Sequence, residues 1–338
     1  MDLDTFLTTL YVTVDDWYKA DIGQRVHVGA RERMSDSEVL TVALAGQWRK
    51  GVPWDSERGV VRWMQRKGRG WFPTMVGRSA FNRRGRQLWG VFLRLQQAVA
   101  EWLSQPTDVY ECVDAVPLVA MSNGQAKREP GHWLWESQVG HGGTSGSFFV
   151  GDHLLASVTR RGVVTGWLVG NADINDRWLL TAFLSARAGH PELVPPPVTT
   201  HASRADRATP PLGHIGAFQA VGTSRTDIYL ADRGFNSRRW RTLWAARYGA
   251  TVVSVPPYND PDHAAWSRQD CLWLASHRQI IDTTFGWLNT VFALEHLNAH
   301  SRWGQYTRIA AKIAAYHLGL WFNQCLGRPL GALETLLS

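Results

Sequence analysis

Cysteine is scarce: Cys112, Cys271 and Cys325 lie more than fifty positions apart with no CxxC pair. That excludes a disulfide framework and a zinc site of the usual cysteine spacing, and it fits a reducing compartment. Long apolar runs are also missing, since the longest, IAAKIAAYHLGLWF, is interrupted by Lys312 and His317, so no membrane partner is expected. The opening MDLDTFLTTLYVTVDD has acids where an export signal needs bases, and a cytoplasmic location is expected. No internal repeat is visible. What is present is a globular composition, 44% hydrophobic and 19% charged over 338 residues, enough for one large or two medium domains and unlike a disordered or collagen-like chain.

Charge is unevenly placed. From Arg49 to Arg94 there are twelve bases and two acids, a local excess of ten in a chain whose total is +7, so the remainder is slightly acidic. Ten of those bases are arginine, which suits bidentate phosphate contact and suggests a polyanion partner. Trp48, Trp54, Trp63, Trp71, Phe72, Phe81 and Trp89 are interleaved with them and can pack a small core while the arginines project outward. The alternative is a solvated face of a helical domain. The candidate DNA-binding residues here are Lys67, Arg69, Arg78, Arg83, Arg84 and Arg86.

Residues 1–104 read as helical. Ser35 caps SDSEVLTVALAGQW, a second helix is expected from about Arg78 to Leu103, and Gly- and Pro-bearing turns between them leave room for a helix-turn-helix-like arrangement. Beyond Pro106 the pattern becomes short strands, VYECVDAVPLVA, SFFVGDHLLASVT and GVVTGWLVG, which form a meander in the simplest reading. A helix in NADINDRWLLTAFLSARAG, a strand in TDIYLADRGF, a helix ending at Gly249 and a strand in ATVVSVP follow, which indicates an α/β layer structure. Residues from about 190 to 226, rich in Pro, Gly, Ser and Arg, are expected to form a long loop. Helices are expected from about Ser276 and over Tyr306 to Leu326. The expected division is a helical domain over 1–104, a catalytic domain over 105–298, and a C-terminal helix over 299–338 packing on the catalytic domain.

Three acids stand out. Asp114 shares a strand face with Tyr110, Cys112, Val116 and Leu118, so it must be paired, hydrogen-bonded or bound to a cation. Asp232 follows Ile228 and Leu230 on one strand face and precedes the turn at Gly234, at the strand edge where ligands gather in open α/β sheets; the alternative is a turn aspartate. Asp282 borders the Ile281, Phe285, Leu288 stripe and either joins the first two or pairs with Arg278 one turn earlier. Acids without clustered His or Cys favour Mg²⁺ or Mn²⁺ over zinc, and two such ions roughly 4 Å apart suit phosphodiester chemistry.

Seven segments in order, among them MSDSEVLTVALAG, RSAFNRRGRQLW, FVGDHLLASVT, YLADRGF and RQIIDTTFGWLNTVFALEHLNAHS, resemble bacterial insertion-sequence transposases of the DDE type, most closely the group numbered 982. The resemblance implies a ribonuclease-H-like fold, a five-stranded mixed sheet with flanking helices, and acids that hold two divalent ions, Mg²⁺ or Mn²⁺. By motif it assigns Asp114 to the first strand and Asp232 to the fourth, as catalytic and metal-binding residues. Asp282 falls where the family carries glutamate, the motif here reading Ile281-Asp282-Thr283. It implies cleavage of double-stranded DNA at terminal inverted repeats and strand transfer into target DNA by a nucleoid-associated homodimer or higher oligomer. His153 stands where the family tends to carry lysine, Arg278 is placed to touch phosphate or to neutralise Asp282, and Asp176 matches a His-Asp-Arg motif but is expected to cap a helix. Trp133 and Trp135 are candidates to reach a DNA end. A domesticated copy that binds DNA without cutting, and a ribonuclease-H-like nuclease, are the alternatives.

Overall fold

The computed structural model describes residues 1–23, 32–122, 138–142, 147–189, 215–221, 226–297, 299 and 301–337. Trp133 and Trp135 lie outside the described residues. In chain order the elements are α1 (Leu3–Asp21), α2 (Asp36–Ala45), α3 (Glu57–Arg66), α4 (Arg78–Gln87), α5 (Trp89–Leu103), β1 (Glu111–Ser122), β2 (Gln138–Gly142), β3 (Ser147–Thr159), β4 (Val164–Asn171), α6 (Asp176–Arg187), β5 (Ile215–Val221), β6 (Ile228–Ala231), α7 (Arg238–Tyr248), β7 (Thr251–Val253), α8 (Arg268–Thr290) and α9 (Arg302–Cys325). They fall into two units, one of Met1–Leu103 with Gly286–Ser338 and the other of Ser104–Phe285.

The first unit is helical, and its helices begin where the sequence supplies caps. At α2 the Glu38 amide donates to Ser35 Oγ at 3.1 Å and the Ser35 amide to Glu38 Oε2 at 2.6 Å, a reciprocal pair that satisfies two otherwise orphaned donors. The expected helix over 78–103 is two helices, α4 and α5, divided at Leu88 (φ −90°, ψ 8°); Gly85 and Gly90 flank the break and weaken helix on either side. Helices α3 and α4 are separated by residues 67–77, which include a 3₁₀ turn at Gly68–Gly70, a longer link than the short turn of a helix-turn-helix.

The core of this unit is aromatic: Trp48 meets Phe6 and Phe292 edge-on, each at 4.9 Å between ring centroids. Helix α9 is buried on every side from Ile309 to Leu320, as a helix surrounded by others must be. It packs along α5, where His317 Nδ1 lies 3.0 Å from the Gln96 carbonyl and Trp321 lies 5.3 Å from Trp102. The C-terminal helix therefore groups with the N-terminal helices, whereas the sequence placed it on the catalytic domain. Periodicity shows that a face must be covered and does not say by what.

The second unit is a mixed α/β layer structure, as expected. Among the described residues its seven strands run in the order β5-β4-β3-β1-β6-β7, with β2 also pairing β3. Strands β1, β3, β4 and β5 pair antiparallel in succession, while β6 and β7 extend the sheet parallel to β1. Five strands were expected, and β2 and β5 are the additions. Strand β5 lies inside the stretch expected to be loop, where the surrounding Pro-, Ser- and Arg-rich residues dilute its signal. One face of the sheet is packed by α6 and α7 through Val113, Leu155, Leu168, Phe183, Trp178, Trp240 and Trp244, with Trp178 and Trp240 edge-on at 4.9 Å. Gly249, at φ 67°, ends α7 in the left-handed conformation that glycine adopts without steric cost.

Candidate active site

The parallel ladder of β1 and β6 pairs Glu111 with Tyr229, Cys112 with Leu230 and Val113 with Ala231. Asp114 follows Val113 on β1 and Asp232 follows Ala231 just past the end of β6, so the two acids leave the last paired position of adjacent strands, which are spaced about 4.8 Å apart. Asp114, expected within an apolar strand face, and Asp232, expected at a strand edge, are thus near enough for the charge of one to act on the other.

Asp114 is both paired and hydrogen-bonded. Its Oδ1 accepts from the Ala115 amide at 2.8 Å and its Oδ2 from Arg278 Nη1 at 3.1 Å. Burial, and next the charge of Asp232, push the Asp114 carboxyl up to about 6 against the opposing pull of Arg278. Asp232 caps the 3₁₀ turn Arg233–Phe235, with Oδ1 accepting from the Gly234 amide at 2.8 Å, so it is a turn aspartate and a neighbour of Asp114 at once.

Asp176 departs from expectation. The cap of α6 is Asn175, whose side chain accepts from the Arg177 amide at 3.0 Å; Asp176 is the first residue inside the helix, and its carboxyl is free for other work. Burial, then the charges of Asp114 and Asp232, push Asp176 up to about 7, with Arg177 opposing. Helix α6 is tied at both ends. Arg177 Nε donates to the Gly234 carbonyl at 3.0 Å beside Asp232. At the other end Arg187 Nη1 reaches Glu111 Oε2 at 2.5 Å and the Tyr229 hydroxyl at 3.0 Å, with both partners of that ion pair almost fully buried. These ties hold Asp176 at the strand ends where Asp232 sits. His153 Nδ1 is 3.9 Å from Asp176 Oδ1, but burial holds the imidazole below its ordinary range, so at neutral pH it brings no charge to the acids.

Helix α8 touches β1, where the Cys112 thiol donates to the His277 carbonyl at 3.5 Å. Burial pushes that thiol up to about 12, which keeps it protonated and unreactive. Asp282 lies one turn beyond Arg278 on α8, exposed and with no hydrogen bond or ion pair among the described residues. Arg278 bonds Asp114 and not Asp282. Asp282 is near enough for its charge to act on Asp114, less strongly than those of Asp232 and Arg278. Among the described residues, no group of three or more His, Cys, Asp or Glu side chains is arranged to hold a metal ion.

In the helical unit, Lys67, Arg69, Arg78, Arg83 and Arg86 are exposed, and Arg69 Nε also bonds the Gln65 carbonyl at 3.1 Å. Arg84 is different. Its guanidinium pairs with Glu32 and, at 2.5 Å, with Asp36, and donates to the Met34 carbonyl at 2.8 Å, so it has a structural task within the unit. Sequence spacing cannot distinguish these uses. Trp48, Trp54, Phe72 and Phe81 are buried, whereas Trp303 is 43% exposed and rests edge-on against Trp89 at 4.8 Å.

No protein-family model matches this sequence, and no curated protein matches it at a significant level.

Proposed function

We propose that this protein is a DNA transposase with a ribonuclease-H-like core, cleaving DNA at terminal inverted repeats and transferring the strand into target DNA. The observation that carries the reading is the proximity of Asp114 on β1 to Asp232 just past the end of the adjacent parallel strand β6, whose charges both act on Asp176 of α6. The strand order β4-β3-β1-β6-β7, two antiparallel pairings followed by two parallel ones, supports a ribonuclease-H-like arrangement with β2 and β5 as additions. The stretch from Arg49 to Arg94, with its excess of ten positive charges, supports double-stranded DNA as the partner. Synapsis of two ends by such an enzyme calls for an oligomer.

The donor chemistry, though not yet the arrangement of the acids, suits a hard divalent ion. The donors are carboxylate oxygens, and Asp114 and Asp176 are driven toward neutrality by burial and mutual repulsion that lack an adequate counter-charge. Asp114, Asp232 and Asp176 would hold Mg²⁺ or Mn²⁺, with Asp282 at the border, and the bound ions would supply activation of the attacking oxygen and neutralisation of the leaving one. Arg278 holds the Asp114 carboxylate in one orientation through its 3.1 Å contact. With Arg177 it also places positive charge beside acids that have to meet a polyanion.

Strand transfer with Mg²⁺ or Mn²⁺, on linear DNA carrying the sequences that flank this coding region, tests the proposal. Cleaved and joined products are expected from the native protein and none from Asp114→Ala; undiminished products from that variant would sink the assignment. A second reading, a DNA-binding derivative that does not cut, is favoured by the exposed, unbonded Asp282 in the place of the expected glutamate. Asp282→Glu separates the two: a large gain indicates an impaired site, and little change an adapted one.

A further inference from the structure

Within the helical unit, a cavity of about 250 Å³ opens between α2, α4, α5 and α9. Its polar lining includes Gln47, Asn82, Arg86, Ser301, Thr307 and Arg308, and among the described residues Glu57 is the one acid on its wall. Glu57 is already neutralised, since Arg308 Nε and Nη2 both donate to its Oε2, at 3.0 and 2.8 Å. Arg86 is exposed on the lining, and its guanidinium has no ion pair or hydrogen bond among the described residues.

Behind the same wall two further cations hydrogen-bond, among the described residues, to carbonyl oxygens alone. Lys312, 2% exposed, donates to the Phe292 carbonyl at 2.5 Å. Arg49 donates to the carbonyls of Gly46 and Trp48, with Asp55 and Glu57 the acids whose charges act on it. The 24-residue helix α9 begins at this cavity, with Ser301 as its N-cap and Gly304 in its first turn, so the positive end of its dipole adds to the same sign. A buried cation such as Lys312 is ordinarily paired, and the cations here, with Arg49 and Arg308 half-buried, outnumber the acids around them.

We infer that this cavity binds a phosphoryl oxyanion, with Arg86 as the direct cationic contact and Asn82 and Thr307 as neutral hydrogen-bonding groups. Its volume is below that of sites for drug-sized ligands, which suits a phosphate or diphosphate group better than a whole nucleobase. Burial, followed by the charges of Arg49 and Arg308, brings the Lys312 ammonium down to about 7 against the opposing pull of Glu57, in keeping with a locally positive field that an anion would relieve. The inference stands independently of strand transfer, because it concerns a different unit and needs none of the carboxylates around Asp114.

Calorimetric titration of the full chain with inorganic phosphate and with pyrophosphate at fixed pH tests it, using Arg86→Gln and Asn82→Asp, surface-accessible changes whose folding is checked by circular dichroism. Saturable binding by the native chain and a loss of about tenfold or more in each variant are expected, as for one charge-assisted contact removed or one like charge introduced. No binding of either anion, or equal affinity in all three proteins, would overturn the inference. A labelled DNA duplex identifies the source of the phosphate. If the backbone supplies it, pyrophosphate competes with the duplex and Arg86→Gln lowers the slope of log affinity against log salt by about one. If duplex binding is indifferent to both while the anions still bind, a free phosphorylated compound is the occupant.

Discussion

Replacing Asp114 with asparagine should stabilise the ion-free protein at pH 8 and give no such gain at pH 4. The Asp114 carboxyl is raised from 3.8 to about 6 in the fold, roughly two pH units, and at about 1.4 kcal/mol per unit its ionisation costs the folded state about 3 kcal/mol. Because the folded value lies above the unfolded one, the contribution of neutral Asp114 is complete below about pH 4 and is lost as pH rises through about 6. Asp176, raised to about 7, extends the same decline upward. Weakening of the 3.1 Å contact with Arg278 works against the gain, so a net stabilisation of about 1–3 kcal/mol at pH 8 is expected.

The assay is urea unfolding from pH 4 to 8, followed by tryptophan fluorescence, for which the chain's 18 tryptophans provide ample signal. The native protein should lose stability across that window from these two carboxyls, and the variant should show a flatter profile. Mg²⁺ should raise the native midpoint at pH 8 and raise that of the variant less, because an ion that binds only the folded state stabilises it. A variant weakened equally at pH 4 and pH 8 would refute the reasoning, since the repulsion between Asp114 and Asp232 would then be too small to matter.

Arg84→Ala should destabilise the helical unit by about 3 kcal/mol, because it leaves the half-buried Asp36 without a counter-charge and with the Tyr18 hydroxyl as its remaining side-chain bond, while filter binding of DNA by the folded fraction stays near the native value. Arg187→Met should cost about 3–5 kcal/mol by leaving Glu111 buried and unpaired, and the double change with Glu111→Gln should recover most of that loss in denaturant titrations. His317, fully buried and held down to about 4 by desolvation, contributes stability that is complete above about pH 6.5 and lost as pH falls through about 4. The His317→Leu protein should therefore show a shallower acid-side decline in thermal melts, despite losing the contact to the Gln96 carbonyl.

Much of the α/β unit is legible in its sequence because its signals are local. SFFVGDHLLASVT is strand β3 over the same thirteen residues, and Gly249 ends α7 as its backbone freedom suggests. Two kinds of feature are hidden. Strand β5 is specified by pairing with β4, a long-range contact that its own composition does not announce. The partner of α9 is hidden too: the helix advertises that it must be surrounded, yet α5 and α2 come from more than two hundred residues earlier.

The acids divide along the same line. Asp114 and Asp232 could be singled out because a carboxylate in an apolar strand demands an explanation, and the parallel pairing of β1 with β6 then brings them near each other without further help. Asp176 could not, because its place depends on two tertiary ties, Arg177 to the Gly234 carbonyl and Arg187 to Glu111, and because Asn175 takes the capping role that would have explained it away. A signal was nevertheless present: two adjacent residues cannot both be the N-cap, so the sequence Asn175-Asp176 leaves one polar side chain without local employment. Such a surplus acid at the end of a strand, next to two others, is one whose neutralisation has to come from outside the chain, whether from a proton or from a cation. That requirement links the stability profile of this unit to the ion dependence proposed for its chemistry.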